Sequence, residues 1–252
     1  MFMRLVQLKA DMSNLGRLKQ FYEKVTIKEL QDMPGCLFAG LIQSNPRSDE
    51  MLSMTLWENQ QRAEHYDTSG TYKRLLELTK PFLAESTEWR VQLSDSLELE
   101  YSPVTEEPVL KQFKVTALSD TENEVPEENT RMYVRIVSAK IQQGKMDEFR
   151  ELYSEEIIPG LKNTRGCRYA FLTESLQDSN EIISVTIWNS KEDAEYYESS
   201  GRFAELTRKV KHTLSSFYQW KMALEKKLTG EVKTSDDIKV THYSMVTGKK
   251  FP

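Results

Sequence analysis

Two tyrosines carry the side chains best suited to chemistry, and each follows a strand-like segment that ends in tryptophan. Tyr66 follows Trp57, and Tyr197 follows Trp188 at the same spacing. A phenol in an apolar pocket can hydrogen-bond to the carbonyl or phenolate oxygen of a substrate. The alternative is a ring at the edge of the core with its hydroxyl in water. The tryptophans are interpreted as walls of such a pocket or as packing residues at a strand end.

His65 precedes the first of these tyrosines. Imidazole has an ordinary pKa of about 6.5, so it could deprotonate a quinol at neutral pH. Cofactor-free oxygenation needs that step, because an electron-rich anion can pass an electron to O₂. A helix turns by about 100° per residue, so His65 and Tyr66 cannot point in one direction. We predict a catalytic group of His65, Tyr66 and Tyr197; alternatively His65 is a solvated helix residue, since its repeat counterpart is Tyr196.

Arg4 and Arg135 lie on the segment predicted to form the first strand of each half. A guanidinium on a strand can anchor an anionic ligand. It can equally pair with a carboxylate on a neighbouring strand. We predict that these arginines, together with Trp57 and Trp188, contribute to substrate binding.

Other chemistries find little support. The three histidines of the chain have no metal-ligand spacing, and the sequence has no glycine-rich phosphate loop, GxSxG or CxxC motif. No metal site is therefore predicted. Cys36 and Cys167 are the two cysteines. They are expected to be small buried residues at a strand start, not a disulfide framework.

The composition suits a soluble globular protein, with 29% charged and 38% hydrophobic residues. A net charge of -5 argues against nucleic acid as a partner. No run of eighteen apolar residues and no secretory signal are visible, so we expect no membrane partner. Together with the cysteine usage, this predicts a cytoplasmic protein.

The chain repeats itself without a gap at an offset of 131 residues, and 27 of residues 1–93 are identical to their counterparts. An ungapped match of this length indicates two whole domains. We predict a first domain at 1–118, an acidic linker at 119–131 and a second domain at 132–252.

Each half follows the order βαββαβ, which is the ferredoxin-like arrangement. In the first half, residue patterns predict strands at 2–9, 36–43, 51–58 and 87–94 and helices at 14–31 and 59–85, the second interrupted near Ser69-Gly70. A fifth strand is predicted at 109–118, with its counterpart at 240–249.

The third strand carries apolar residues at both parities, so both faces of each sheet need a cover. Helices can cover one face, and the duplicate sheet is the candidate for the other. We therefore predict an α+β fold of tandem duplicated ferredoxin-like βαββαβ domains, packed sheet-to-sheet as an intramolecular pseudo-dimeric α/β barrel. The fifth strand could pair with the edge of the other half's sheet.

These features resemble the antibiotic-biosynthesis-monooxygenase-like family of the dimeric α/β barrel superfamily. The resemblance is carried by the element order, Gly35-Cys36, the Thr55-x-Trp57 strand end, the Ala63-x-x-Tyr66 helix and Ser69-Gly70, and by their counterparts in the second half. Members usually form homodimers of one-domain chains, so the resemblance implies such a dimer fused into one polypeptide. Further homodimerisation is left open.

Some members of the family oxidise quinols or polyketide anthrones with O₂ and no cofactor, others degrade haem, and others have no known catalytic role. Haem-degrading members use an asparagine on strand one, a tryptophan after strand three and a histidine about ten residues beyond it. At these positions the two halves carry Gln7 and Ser138, Tyr66 and Tyr197, and Leu76 and Thr207. The resemblance therefore implies no cofactor, and haem is disfavoured.

The function implied is a cofactor-independent monooxygenase acting on a small aromatic or quinol-like compound. The alternative is a non-catalytic small-ligand-binding or stress-related module, because both halves lack the histidine position that quinol-oxidising members commonly have. In both cases the expected partner is a small apolar or aromatic molecule.

Overall fold

The computed structural model describes residues 1–93, 99–105, 108–119, 132–215 and 238–251. These residues group into two compact units. The first unit comprises Arg4–Lys111 and Val246–Pro252, and the second unit comprises Met1–Met3 and Gln112–Met245. Each unit thus combines most of one repeat with a strand segment from the other.

The first repeat contains six strands and four helices in its described part. They are β1 (Phe2–Lys9), α1 (Leu15–Phe21), α2 (Ile27–Gln31), β2 (Cys36–Ser44), β3 (Glu50–Trp57), α3 (Gln60–Thr68), α4 (Thr71–Thr79), β4 (Glu85–Leu93), β5 (Leu99–Thr105) and β6 (Val109–Leu118).

The second repeat follows the same order over the part that the structure describes. Its elements are β7 (Tyr133–Lys140), α5 (Met146–Leu152), α6 (Ile158–Lys162), β8 (Cys167–Ser175), β9 (Glu181–Trp188), α7 (Lys191–Ser199), α8 (Arg202–Val210) and β10 (Ile238–Lys250).

The first helical segment of each repeat contains a π turn that the sequence pattern did not predict. Tyr22–Thr26 joins α1 to α2, and Tyr153–Ile157 joins α5 to α6. A π turn accommodates one extra residue and often occurs at functional sites. Here it places a tyrosine against the sheet in both repeats, because the Tyr22 hydroxyl lies 2.8 Å from Ser53 Oγ and the Tyr153 hydroxyl 2.7 Å from Ser184 Oγ.

The second helical segment of each repeat is broken where the sequence predicted a break. Gly70 has φ 80° and Gly201 has φ 83°. Side chains with a Cβ rarely adopt this backbone conformation, so glycine permits the chain to turn between α3 and α4 and between α7 and α8. The side chains of Asn59 and Ser190 cap the N-termini of α3 and α7, respectively.

The sheet of each repeat is antiparallel, and the third strand lies at its centre. In the first unit the strand order is β1-β3-β2, and in the second unit it is β7-β9-β8. In the second unit Arg135 on β7 lies opposite Thr186 on β9. On β3 and β9 the residues of both strand faces are buried, which agrees with the prediction that both faces of the sheet are covered.

The fifth strand of each repeat pairs with the sheet of the other repeat, as predicted. In the second unit β6 is antiparallel to β8, with Phe113 opposite Ser175. In the first unit the end of β10 reaches β2, where the Phe251 N–H donates to the Leu37 carbonyl at 2.9 Å. This exchange protects sheet edges that would otherwise expose unpaired backbone groups.

The fourth strand differs from its prediction. β4 pairs with β5, a strand that the sequence analysis missed, in a separate two-stranded sheet. The residues that lead into β4 contact the main sheet through a bridge between Ala10 and Leu83. The position beside β1 is occupied by β6, whose Val115 N–H donates to the Met1 carbonyl. The counterpart of β4 and the predicted linker beyond Ser119 lie outside the described residues.

The predicted fold class is confirmed as a tandem-duplicated α+β ferredoxin-like fold with antiparallel sheets. Within the described residues, no helix combines the length and apolar character needed to span a membrane.

Phe251 tests the importance of the exchanged strand. Its side chain is only 3% exposed although it follows the last strand. We expect Phe251→Ala to lower the free energy of unfolding by about 3–5 kcal/mol, because it removes a buried aromatic ring. Urea unfolding measures this change.

The matched control is Leu118→Ala, at the end of the other exchanged strand, where the side chain is 41% exposed. It should change stability by less than about 0.5 kcal/mol. Equal effects of the two substitutions would contradict the burial of Phe251.

Candidate functional site

Each repeat contains a cavity between its helices and the face of its sheet that carries Ser53 and Thr55 or their counterparts Ser184 and Thr186. The space between the lining atoms is about 570 Å³ in the first cavity and about 540 Å³ in the second, both figures including open solvent, and the volume available to the centre of a water molecule is about 60 Å³ in each. The lining is largely apolar, and polar groups enter it from β1 or β7, from the central strand and from the tyrosines. Such an apolar pocket with a few convergent polar groups is the usual form of a small-molecule site.

A buried arginine forms part of the wall of each cavity. Arg4 is 1% exposed and Arg135 is 2% exposed. The Arg4 Nη2 atom donates to Asp67 Oδ1 at 2.6 Å, and Arg135 Nε donates to Glu198 Oε1 at 2.5 Å. The alternative considered from sequence was a carboxylate on a neighbouring strand, but the carboxylate comes from the helix after β3 or β9. The missed signal is an acidic residue directly after each tyrosine in both repeats.

Aromatic rings stack on both guanidinium groups. The Arg4 guanidinium carbon lies 4.9 Å from the centroid of the Tyr66 ring and 4.6 Å from that of Tyr72. The Arg135 carbon lies 4.2 Å from the Phe203 centroid and 5.5 Å from that of Tyr197. The glycine between the two helices turns the chain so that both rings can reach the same cation, and such cation–π contacts offset part of the cost of burial.

Each arginine retains a buried N–H group without a partner. Arg4 Nε and Arg135 Nη2 have no hydrogen-bond acceptor among the described residues. An unsatisfied buried donor costs about 1–3 kcal/mol. An acceptor oxygen on a molecule in the cavity would satisfy it.

Tyr66 and Tyr197 line the cavities, whereas the tryptophans lie behind them. The Trp57 indole N–H donates to Thr55 Oγ1 at 2.9 Å, and its ring packs on Tyr66 with centroids 5.2 Å apart. Trp188 makes the same contacts with Thr186 and Tyr197. The Thr-x-Trp pattern therefore supports the tyrosine, and neither tryptophan is among the residues that line the two cavities.

Burial raises the pKa of the Tyr66 and Tyr197 hydroxyls above the ordinary value, although the arginine charges act in the opposite direction. Both phenols therefore remain protonated near neutral pH. They can donate a hydrogen bond to a ligand, but they are poor bases. Burial likewise raises the pKa of Tyr22 and Tyr153.

The carboxylates that hold the arginines differ between the repeats. Burial raises the pKa of Asp67 despite the opposing charge of Arg4. Burial also acts to raise the pKa of Glu198, but the hydrogen bond with His242 and the charge of Arg135 outweigh it and lower this pKa to about 2. The His242 Nε2 atom lies 3.0 Å from Glu198 Oε1, a contact that the sequence analysis did not anticipate.

His65 does not enter either cavity. It is exposed on α3, as is its counterpart Tyr196 on α7, which is 65% exposed. Tyr66 faces the sheet, and a helix turns by about 100° per residue, so the preceding residue, His65, faces solvent. The structure brings Tyr66 and Arg4 together, and Tyr197 and Arg135, but leaves His65 outside.

The lining residues do not suit a haem group. Neither cavity is lined by histidine, cysteine or methionine, three of the side chains that commonly ligate haem iron. Among the described residues, no cluster of three or more His, Cys, Asp or Glu could hold a metal ion. Burial raises the pKa of Cys36 and Cys167 to about 12, so neither thiol is an activated nucleophile.

Comparisons with known proteins agree with the duplication. A family model described as antibiotic biosynthesis monooxygenase matches residues 1–78 and 132–209. No curated protein matches the chain in a sequence search.

Solved structures match over nearly the whole chain. A candidate monooxygenase from Lactobacillus acidophilus NCFM has a TM-score of 0.67 at 8% identity, covering 99% of this chain and 95% of that chain. A candidate monooxygenase from Fusobacterium nucleatum has a TM-score of 0.65 at 10% identity, with coverages of 99% and 94%. An anthrone oxidase-like protein has a TM-score of 0.57 at 14% identity, with coverages of 99% and 92%. At these identities the likeness establishes the fold alone.

The contribution of the Arg135–Glu198 ion pair can be tested by measuring the free energy of unfolding at acidic pH. Its pKa of about 2 lies below the ordinary 4.5, so it contributes stability that is complete above pH 4.5 and is lost as the pH falls towards 2. We expect Glu198→Gln to cost about 1–2 kcal/mol at pH 7, a value reduced for partial solvent screening. The difference from wild type should vanish near pH 2.

The control is Glu195→Gln on the same helix, where the Glu195 side chain is 53% exposed and pairs with Lys191. It should show no such convergence. Thermal unfolding over this pH range distinguishes the two, and a Glu198→Gln penalty that is the same at pH 2 and pH 7 would contradict the assignment.

Proposed function

The chain belongs to the antibiotic biosynthesis monooxygenase family, and we propose that it is a cofactor-independent monooxygenase that oxidises a small phenolic or quinol-like aromatic compound. The observation that carries this proposal is the buried arginine of each cavity, which offers an unpaired N–H beside a protonated tyrosine within an apolar lining.

The cavity favours ionisation of a bound phenol. Its aromatic ring can pack against the apolar lining, while its oxygen accepts a hydrogen bond from Arg4 Nε or Arg135 Nη2. A cation that donates a hydrogen bond to this oxygen in an apolar site stabilises the phenolate more than the neutral phenol, so the pKa of the substrate falls. The proton leaves to water at the solvent-open mouth of the cavity.

The phenolate then reacts with O₂. It supplies the electrons, so the cavity needs to stabilise charge rather than to carry a redox group. The substrate gains one oxygen atom and loses two hydrogens, which leave with the second oxygen atom as water. Tyr66 and Tyr197 act as hydrogen-bond donors to the oxygen on which negative charge develops. We assign no step to His65, because its side chain is exposed outside the cavities.

A second candidate is a non-catalytic module that binds a small aromatic molecule. It is favoured by one observation, namely that neither cavity is lined by a histidine or a carboxylate able to act as a base near neutral pH. Under this reading the arginine holds an oxygen of the ligand without activating it.

Oxygen uptake by the metal-free protein separates the two candidates. The panel should contain hydroquinones, naphthols and anthrones, the last because one solved structure of this fold is described as anthrone oxidase-like. Saturable uptake of one O₂ per substrate, without hydrogen peroxide, supports the monooxygenase. Binding of the same compounds without uptake supports the binding module.

Replacing the arginines tests the charge stabilisation. We expect Arg4→Met with Arg135→Met to lower turnover by about 10²-fold and to shift the pH profile upward, because the substrate then ionises less readily. Oxygen consumption measured against pH reports both effects.

The matched control is Arg165→Met, because the Arg165 side chain is 89% exposed and pairs with Asp193 at the surface. Its turnover and pH profile should equal those of wild type. An unchanged pH profile in the cavity variants would remove the arginines from the ionisation step.

Replacing the tyrosines tests their role as donors. Tyr66→Phe with Tyr197→Phe keeps both rings packed against the tryptophans and removes only the hydroxyls, so turnover should fall by about 10²-fold with folding intact. The control is His65→Gln, for which we expect full activity. Unchanged turnover in the tyrosine variant would show that the rings only pack.

A further inference from the structure

In the second cavity a histidine contacts the carboxylate of the ion pair. Glu198 Oε1 accepts from Arg135 Nε at 2.5 Å and lies 3.0 Å from His242 Nε2. His242 is on β10, directly opposite Arg135 in the strand ladder. At the equivalent position the first repeat carries Lys111.

We propose that His242 is a positioning residue of the second cavity, and that its protonation controls how strongly Arg135 holds an anionic ligand. This inference rests on the proposed role of Arg135 as the group that binds the oxygen of the ligand. It extends that role by making the two cavities unequal in their response to pH.

The charges around Glu198 change when His242 gains a proton. Its carboxylate remains ionised down to a pKa of about 2. When His242 is neutral, Glu198 alone balances Arg135, so the group carries no net charge. When His242 is protonated, the group carries one positive charge, and more of the attraction of Arg135 is available to an anion in the cavity.

The position of His242 allows it to respond to the solvent. Its side chain is 25% exposed, whereas that of Arg135 is 2% exposed. The titratable and charged groups that the structure places against it are Glu198 on α7 and Arg135 and Tyr133 on β7; the Tyr133 ring centroid lies 5.7 Å away. The His242 side chain is thus accessible to solvent while it contacts the carboxylate that pairs with Arg135.

Binding of benzoate tests the proposal without relying on turnover. Its carboxylate stays ionised between about pH 5.5 and 8, where an imidazole titrates. Calorimetry should be carried out on the whole protein as wild type, His242→Lys and His242→Gln. The first cavity is the same in all three, so differences between them report on the second.

We expect wild-type affinity at the second cavity to fall by about 5-fold as the pH rises through this range, a typical coupling between two sites. His242→Lys should keep the tighter affinity throughout, since a lysine ammonium group stays charged over this pH range. His242→Gln should keep the weaker affinity throughout. The control His212→Gln removes a surface histidine that contacts Glu148 at 2.7 Å, and it should behave as wild type.

The same pH dependence in all four proteins would overturn the proposal, and so would an absence of benzoate binding by the wild type at every pH. Oxygen uptake is not part of this test. If the protein oxidises no compound in the panel but benzoate binding shows the expected pH profile, this inference stands and the proposed oxidation is wrong. If turnover is normal but the pH profile of benzoate binding is flat, the proposed oxidation stands and this inference is wrong.

Discussion

The burial of a guanidinium group on the first strand of each repeat is the constraint on which the rest of the site depends. A charge at this depth is tolerated only if it is paired and covered. Asp67 or Glu198 supplies the pairing, and two aromatic rings supply the cover. The carboxylate and one ring come from the helix that follows the central strand, and the glycine turn brings the second ring from the next helix. One requirement thus relates the strand, both helices and the turn between them.

Much of the fold could be predicted from sequence because duplication repeats every signal. Apolar alternation and the Gly70 turn recur in the second half at a fixed offset, so the main strands and helices were placed within a few residues. The hairpin of β4 and β5 was missed because its pairing depends on which strand occupies the edge beside β1. That competition is tertiary, and the local pattern around residues 87–94 contains no information about it.

Part of the lining of the cavities could be predicted from sequence, and His65 lies outside them for a geometric reason. Arg4 and Tyr66 could be identified because both recur in the second repeat as Arg135 and Tyr197. His65 was selected for its position beside Tyr66, but consecutive helical residues face different directions. His242 could not be identified because the first repeat has lysine there, and its contact with Glu198 joins residues far apart in the chain. A retained acidic position after each tyrosine was a usable signal.

The central claim is that the unpaired N–H of each buried arginine binds the oxygen of an aromatic ligand. A crystal structure of the protein soaked with a naphthol tests it most directly. We expect a ligand in each cavity, with its oxygen within hydrogen-bonding distance of Arg4 Nε in the first and of Arg135 Nη2 in the second. A ligand bound elsewhere, or one that occupies the cavities with its oxygen directed away from both arginines, would contradict it.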